Sequence, residues 1–501
     1  MSIALAVSPT VKTPGIYMTV NLLAGAISAG SSGQIGLIMA PRSTSGNLTV
    51  DTEIRLISGA DDAKAAWGTK TPGYKCALNF FSEYPNGRVF GIAPTASGGA
   101  AATGSVTFAS TPSVTQNVRF AIAGRTLDVP WAAGEDGDVI KARSISAINA
   151  RDDIPVTATS GGFGIVSLTF PVPGPWGNDV QYSVLVSTGT GGTGTATGSS
   201  LTGGTTEPDF TNALSSMSAK YDYICPCLSN ADAQSSGATS NVARLKTHIN
   251  GMNTGLNASL QQAIIGMTGT QSAAKVGAIA RNEATIEFPF CMNGQGLPAE
   301  LAGEELGSRM YSVSLDAAAN RIGTHLPEYI GAKDLVADTP TPSETEDALS
   351  NGLSIVSYDR QGGSVLVRPI TSHSQDTNGN PDNRCFDVSA VDGAYAVAND
   401  IEQFLPQEFP RAKISKDLQP GDEPLPAGVI EERDIKASLI KRLNVWARLG
   451  IVRRDKLAEV IADGSLIVQV DPSDETQVDI VIPLGIVKPL AKFGIVVNKV
   501  A

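Results

Sequence analysis

Histidine is nearly absent from this chain: His248, His325 and His373 are the three in 501 residues. None stands in an H-x-x-x-H or H-E-x-x-H arrangement, so zinc hydrolysis of that kind has no ligand set. Cysteine is scarce and odd in number, five in all, which excludes a disulfide framework. The one close pair, Cys225 and Cys227 in YDYICPCL, lacks a second pair or a nearby histidine. Its apolar setting reads as two buried thiols, and no metal or cofactor is expected. No G-x-S-x-G elbow and no G-x-x-x-x-G-K-[ST] loop occurs, which removes the usual setting of a hydrolase serine and the usual cradle of a nucleotide. A Ser–His–Asp grouping formed in space around His325 or His373 stays open as an alternative, because triads do not follow chain order. Otherwise no enzyme is expected. No apolar run approaches ~18 residues, so no membrane-spanning helix is expected. The opening MSIALAVSPTVKTPG lacks a basic stretch ahead of its short apolar run and does not read as a signal peptide. Together with the scattered thiols, this points to assembly in a reducing cytoplasm.

Charge of one sign is also short. Lys and Arg number 37 against 49 Asp and Glu, a net charge of −12, which argues against nucleic-acid binding, since phosphate contacts need a basic face. The exception is local. Arg433, Lys436, Lys441, Arg442, Arg448, Arg453, Arg454 and Lys456 fall in one stretch with only Asp434 and Asp455 against them. Such a run is either a solvated helix face or the footprint of an acidic partner.

What is plentiful is glycine (52), proline (29) and apolar residues (42%), enough for about two to four domains rich in turns and strands. Strand-like and helix-like patterns alternate over 26–94 and again over 208–345, which predicts one discontinuous α/β domain. Between them, 95–207 reads as a β-rich insertion of short strands with one helix at Gly137–Ala150, closed by the low-complexity run TGTGGTGTATGSS. Gly189, Gly191 and Gly194 in that run satisfy G-x-G-x-x-G, but no helix opens there to hold a pyrophosphate, so a loop is predicted. Residues 1–25 form an arm ending in a short strand, and 346–501 form a last domain with helices near Val391–Leu405 and Glu431–Leu449. The expected fold class is therefore mixed α/β and multidomain, with a C-terminal α/β core and extended terminal strands. The strands Ile16–Asn21 and Phe493–Val500 would leave unpaired edges in a monomer. They either fold back onto their own domain or pair with a sheet of another subunit.

The stretch NGLSIVSYDRQGGSVLVRPITSHSQDTNGNPDNRCFD, 351–387, predicts a β-meander: apolar runs Leu353–Tyr358 and Val365–Ile370 joined by Asp359–Gly363. The loop Asp376–Asp382 lacks the bidentate glutamate of a calcium loop and reads as turns. This stretch resembles the C-terminal domain of contractile tail sheath proteins. TPGIYMTVN (Thr13–Asn21) resembles their N-terminal arm, and CFDVSAVDGAYAVANDIEQFLPQEFPRAKISKD their next helix and its Phe-Pro-Arg exit. The middle is similar to the sheaths of Mu-like phages, which are related to R-type pyocin sheaths. AGRTLDVPWAAGEDGDVIKARSISAINARDDIPVTAT, PWGNDVQYSV, LTGGTTEPDFTNAL and YDYICPCLSNAD carry that likeness, in the expected order.

The resemblance implies a structural subunit of a virion tail, forming stacked hexameric rings around an inner tube and contracting to drive that tube through a cell envelope for genome ejection. Its implied partners are other copies of itself, the inner tail tube protein, and baseplate and tail terminator proteins, with neither nucleic acid nor membrane contacted directly. Its implied inter-subunit strands carry Ile16, Tyr17, Met18 and Val20 at one end and Phe493, Ile495 and Val497 at the other. The acceptor sheet would hold Val365, Val367, Ile370, Phe386 and Val388. Arg433, Lys436, Lys441, Arg442 and Arg448 would face the tube, and the insertion would project outward. A pyocin-like sheath without DNA, a capsid protein and a surface-layer protein are the alternatives.

Overall fold

The apolar run Ile35–Met39 is one of the two central strands of a six-stranded sheet, and its lack of alternation fits a strand covered on both faces. The computed structural model describes residues 34–491 apart from 188–190, 218–220, 255–258, 333, 335–336, 419–422, 424 and 484. In the sheet the order is Ile286–Glu287, Gln262–Ile264, Tyr223–Pro226, Ile35–Met39, Arg88–Ile92 and Arg55–Ile57. All neighbours are parallel except the last pair. Helices Ala60–Trp67, Pro72–Glu83 and Pro298–Leu315 bury Trp67, Phe80 and Leu306 against one face; Asn241–Met252 and Gln271–Arg281 bury Leu245, Ile249 and Ala278 against the other. Two of these helices touch almost backbone to backbone. A Cβ on Gly303 would lie 2.2 Å from the Cys76 carbonyl oxygen, and one on Gly307 would lie 2.6 Å from that of Phe80, so glycine is what permits the approach.

The chain leaves this domain after residue 94 and builds two further sheets before returning. One holds Thr193–Ala196, Thr103–Ala109, Ile165–Thr169 and Thr157–Gly162; the other holds Arg125–Trp131, Gln116–Ile122 and Tyr182–Val186. Helix Gly137–Asn149 closes their common core, where Phe108 meets Phe120 and Trp131 edge-on, with ring centroids 6.1 and 5.6 Å apart. Two features depart from the sequence reading. Residues 193–196 of the low-complexity run form an edge strand, where Gly194 lies so close to Val186 and Phe108 that a Cβ would meet them at 2.9 and 3.1 Å. Arg125–Trp131, a strand the pattern does not announce because Pro130 interrupts it, pairs through a tight turn at Ala123 and Gly124 (φ 48° and 75°).

A fourth, five-stranded sheet runs Met267–Gly269, Pro289–Met292, Ser354–Tyr358, Ser364–Leu366 and Thr324–Leu326. Pro289–Met292 pairs in parallel with Ser354–Tyr358, so hydrogen bonds cross the boundary expected at 345/346. Beyond it lie helices Val388–Glu408, Glu432–Arg448 and Arg454–Ala462, a parallel pair Lys413–Ser415 with Val429–Glu431, and an antiparallel pair Ile467–Val470 with Val478–Val481. The fold is mixed α/β and multidomain.

Candidate assembly surfaces in the C-terminal region

The Ile467–Val470 and Val478–Val481 strands form a sheet of two only. Their connection is a turn in which the Asp471 carboxylate accepts from the Ser473 and Asp474 amides at 2.6 and 3.1 Å. The Asp471 amide donates to the Gln477 carbonyl at 2.9 Å. Because hydrogen-bonded pairs alternate along an antiparallel ladder, Gln469/Asp479 and Ile467/Val481 are bonded pairs too. The backbone groups of Val468, Val470, Val478 and Ile480 therefore point away from the ladder. Val470 spends its amide on Glu432 Oε1 at 2.7 Å. No described strand lies along either outer edge. The sheet is held from one side: Val468 and Ile480 belong to the core of Leu439, Leu443 and Trp446.

Those three residues come from the Glu432–Arg448 helix, which buries Ile435, Leu439, Leu443 and Trp446 as a single stripe. Acidic residues in its first turn and Arg448 in its last suit the helix dipole. Its basic residues divide into two groups. Arg442 lies between Phe404 and Trp446, its carbon 5.3 and 5.7 Å from the ring centres, and its Nε donates to Asp400 at 2.6 Å. Asp400 accepts also from the Trp446 indole at 2.9 Å, and the charged hydrogen bond pushes the Arg442 pKa up. Arg433 pairs with Glu431. Both are thus paired within the chain, Arg433 at the exposed surface and Arg442 half-buried. Lys441 and Arg448 are exposed and Lys436 is half-buried, and none has an ion-pair partner among the described residues. Arg448 lines a cavity of about 300 Å³ between this helix and Arg454–Ala462, with Asn444, Leu457 and Ile461.

The expected acceptor sheet is not an open one. Val365 sits in a strand flanked on one side by Ser354–Tyr358 and on the other by Thr324–Leu326, and the Val367 amide donates to Ile355. Ile370 is bridged to Asp387 of the same chain. Phe386 is covered by Arg368, 4.7 Å from its ring centre, and Val388 is buried in the first turn of its helix. Among the described residues, the strand edges at Val365, Val367 and Ile370 are paired within the chain. Ile16, Tyr17, Met18, Val20, Phe493, Ile495 and Val497 lie outside the described residues.

The histidines do not meet a serine. His373 Nε2 is 2.9 Å from Asp382 Oδ2, which also accepts from Arg384 at 2.7 Å; this guanidinium holds the carboxyl well below the usual range. His325 is exposed, 3.7 Å from Asp359. No hydroxyl donates to either ring among the described residues. In the Asp376–Asp382 loop, Asp376 accepts from the Asn378 and Asn380 amides at 2.8 and 2.9 Å, a turn closed on itself.

No family model matches the chain, and no curated protein does. Its structural neighbours include sheath tail proteins. The chain is similar to the sheath tail protein of Desulfitobacterium hafniense at 12% identity and a TM-score of 0.46, over 95% of this chain and 100% of that one. It is similar to the sheath tail protein of Listeria innocua at 12% identity and 0.42, over 85% and 87%. A chain of the anti-feeding prophage baseplate is similar at 9% identity and 0.45, over 98% and 99%.

Proposed function

We propose that this protein is the structural subunit of a contractile tail sheath. The observation that carries the reading is the two-stranded sheet at Ile467–Val470 and Val478–Val481, whose two outer edges are unpaired among the described residues while its inner side is fixed to a helix. A pair of short strands is marginal by itself, and an open edge invites a strand from another chain. The terminal segments 16–21 and 493–500, read from the sequence as apolar strands, are suited to fill those edges in neighbouring subunits. The ordered sequence likeness to Mu-like sheaths over nearly the whole chain supports the same reading.

In that role the subunits stack as hexameric rings around an inner tube, and no bond is made or broken. Free energy is stored as the difference between two packings of the same subunits. Backbone ladders at the two edges keep subunits linked during the change. Contacts to the tube must let go, and exposed ion pairs worth ~0.2–1 kcal/mol each are suited to that; Lys436, Lys441 and Arg448 are the residues proposed for them. Negative-stain electron microscopy of the purified full-length protein tests the reading. Long hollow cylinders are expected, and their loss on deleting 493–501. A monodisperse monomer at all concentrations would sink it, and cylinders that persist after the deletion would remove the linking role of that strand.

A further inference from the structure

Cys225 and Cys227 stand two residues apart where the Tyr223–Pro226 strand continues its ladder, the Cys227 amide donating to the Met39 carbonyl at 2.8 Å. Their side chains therefore leave the sheet on the same face. Helix Pro72–Glu83 covers that face and brings Cys76 to them across 149 residues of sequence. Cys76 Sγ lies 3.5 Å from Cys225 Sγ, and all three sulfurs lie within 4.8 Å of one another. None of the three residues is more than 1% exposed. The only oxygen recorded against them among the described residues is the Pro72 carbonyl, 3.8 Å from Cys227 Sγ. Three of the five cysteines thus converge on one point of an otherwise apolar core formed with Ile38, Tyr74 and Phe80.

We propose that Cys76, Cys225 and Cys227 form a closed binding site for zinc(II), with the Pro72 carbonyl as the available fourth donor. Three atoms no more than 4.8 Å apart can share a centre about 2.8 Å from each. Side-chain adjustments of about half an ångström then reach the ~2.3 Å of a Zn–S bond. Sulfur ligands select thiophilic ions and exclude magnesium and calcium. All three thiols ionise on binding one zinc(II), releasing three protons and leaving a site of net charge −1. No oxidant or reductant is involved. A bound ion would tie the first helix turn to the central sheet, and its binding energy would add to folding.

The test is the zinc content of full-length protein purified under reductant from zinc-supplemented culture, by mass spectrometry of the metal. One zinc per chain is expected, falling to background in Cys76→Ala and in Cys225→Ala, and unchanged in Cys291→Ala and Cys385→Ala. Because a variant can misfold, the wild type is also stripped with chelator and titrated with cobalt(II). A sulfur-to-cobalt charge-transfer band saturating at one equivalent is expected. Wild type without zinc and without that band would overturn the proposal, as would zinc retained in the Cys76, Cys225, Cys227 triple alanine variant. Freshly purified protein two hydrogens lighter, with Cys76 joined to Cys225, would overturn it in favour of a redox pair.

Discussion

Arg309 holds two buried carboxylates, those of Asp392 and Glu287. Its guanidinium donates to Asp392 at 3.0 and 2.7 Å, to Glu287 at 2.9 Å and to Gln262 at 2.6 Å, and it lies 5.0 Å over the Tyr223 ring. Tyr223 and Gln262 donate to Asp392 as well, at 2.8 and 2.9 Å. One side chain thus joins the Pro298–Leu315 helix, the first sheet and the Val388–Glu408 helix. Arg309→Met keeps the bulk and removes the donors, leaving two buried carboxylates without a cation. Urea unfolding should show a loss of about 3–5 kcal/mol; a loss under ~1 kcal/mol would mean that the carboxylates are already neutral. Glu304 is a different case, fully buried with no cation against it. It accepts from the Glu328 amide at 2.8 Å and the Asn79 amide at 3.3 Å, and burial pushes its pKa up to about 8. A carboxyl whose folded pKa is raised gives its full stabilisation below the unfolded value near 4.3 and loses it as pH rises through about 8. Wild type should therefore melt lower at pH 9 than at pH 6, and Glu304→Gln should be the more stable at pH 9 by about 1–3 kcal/mol. Parallel pH–melting curves for the two proteins would remove the assignment.

At the scale of elements, the helix Glu432–Arg448 and its two-stranded sheet belong to one argument. Ile480→Pro takes an outward backbone N–H from the strand edge and leaves the inner ladder intact. The purified variant should keep its far-ultraviolet circular dichroism and fail to form cylinders; normal cylinders would clear that edge of any linking role. Lys441→Glu with Arg448→Glu reverses exposed charge without touching the Arg442–Asp400 pair, so folding should be unchanged while co-assembly on an inner tube is lost. Undiminished co-assembly would refute the contact. The helix was legible in the sequence because Ile435, Leu439, Leu443 and Trp446 recur at helical spacing. The strand Thr193–Ala196 was not, because Thr and Gly alternate there with no apolar face, and its pairing depends on Val186 and Phe108 far away in sequence. Periodicity places Lys441 and Arg442 side by side as basic residues; only the position of Asp400 on another helix separates the exposed one from the committed one. Cys76 was invisible for the same reason, since its closeness to Cys225 is made by packing a helix on a sheet.

At the scale of the whole molecule, the β-rich insertion is set firmly onto the α/β domain. Lys70 Nζ, on the α/β side, donates to the Ile148 and Val156 carbonyls at 3.0 and 2.9 Å, and Lys75 Nζ donates to the Asp153 carbonyl. Burial lowers the Lys75 pKa to about 8 despite Glu300 at 3.7 Å. Arg125 of the insertion reaches Glu300 at 2.7 Å, and the Trp176 indole donates to the Cys227 carbonyl at 2.9 Å. Such an interface transmits force: the insertion and the α/β domain should move as one body in any rearrangement of an assembly, with change confined to the contacts between subunits. It also means that the insertion is not dispensable by simple excision. Replacing 101–202 with a short Gly-Ser linker would take the carbonyl acceptors from Lys70 and Lys75 and the Arg125 guanidinium from Glu300, and each such group left buried without that partner costs about 1–3 kcal/mol. Two or three such losses rival the ~5–15 kcal/mol that holds a domain folded. The excised chain should be insoluble, and Lys70→Met, Lys75→Met and Glu300→Gln together should recover soluble protein because they remove the orphaned groups and keep the volume. Soluble, cooperative unfolding of the plain excision variant would show that the two units are joined only by their chain connections, and the rigid coupling argued here would fall with it.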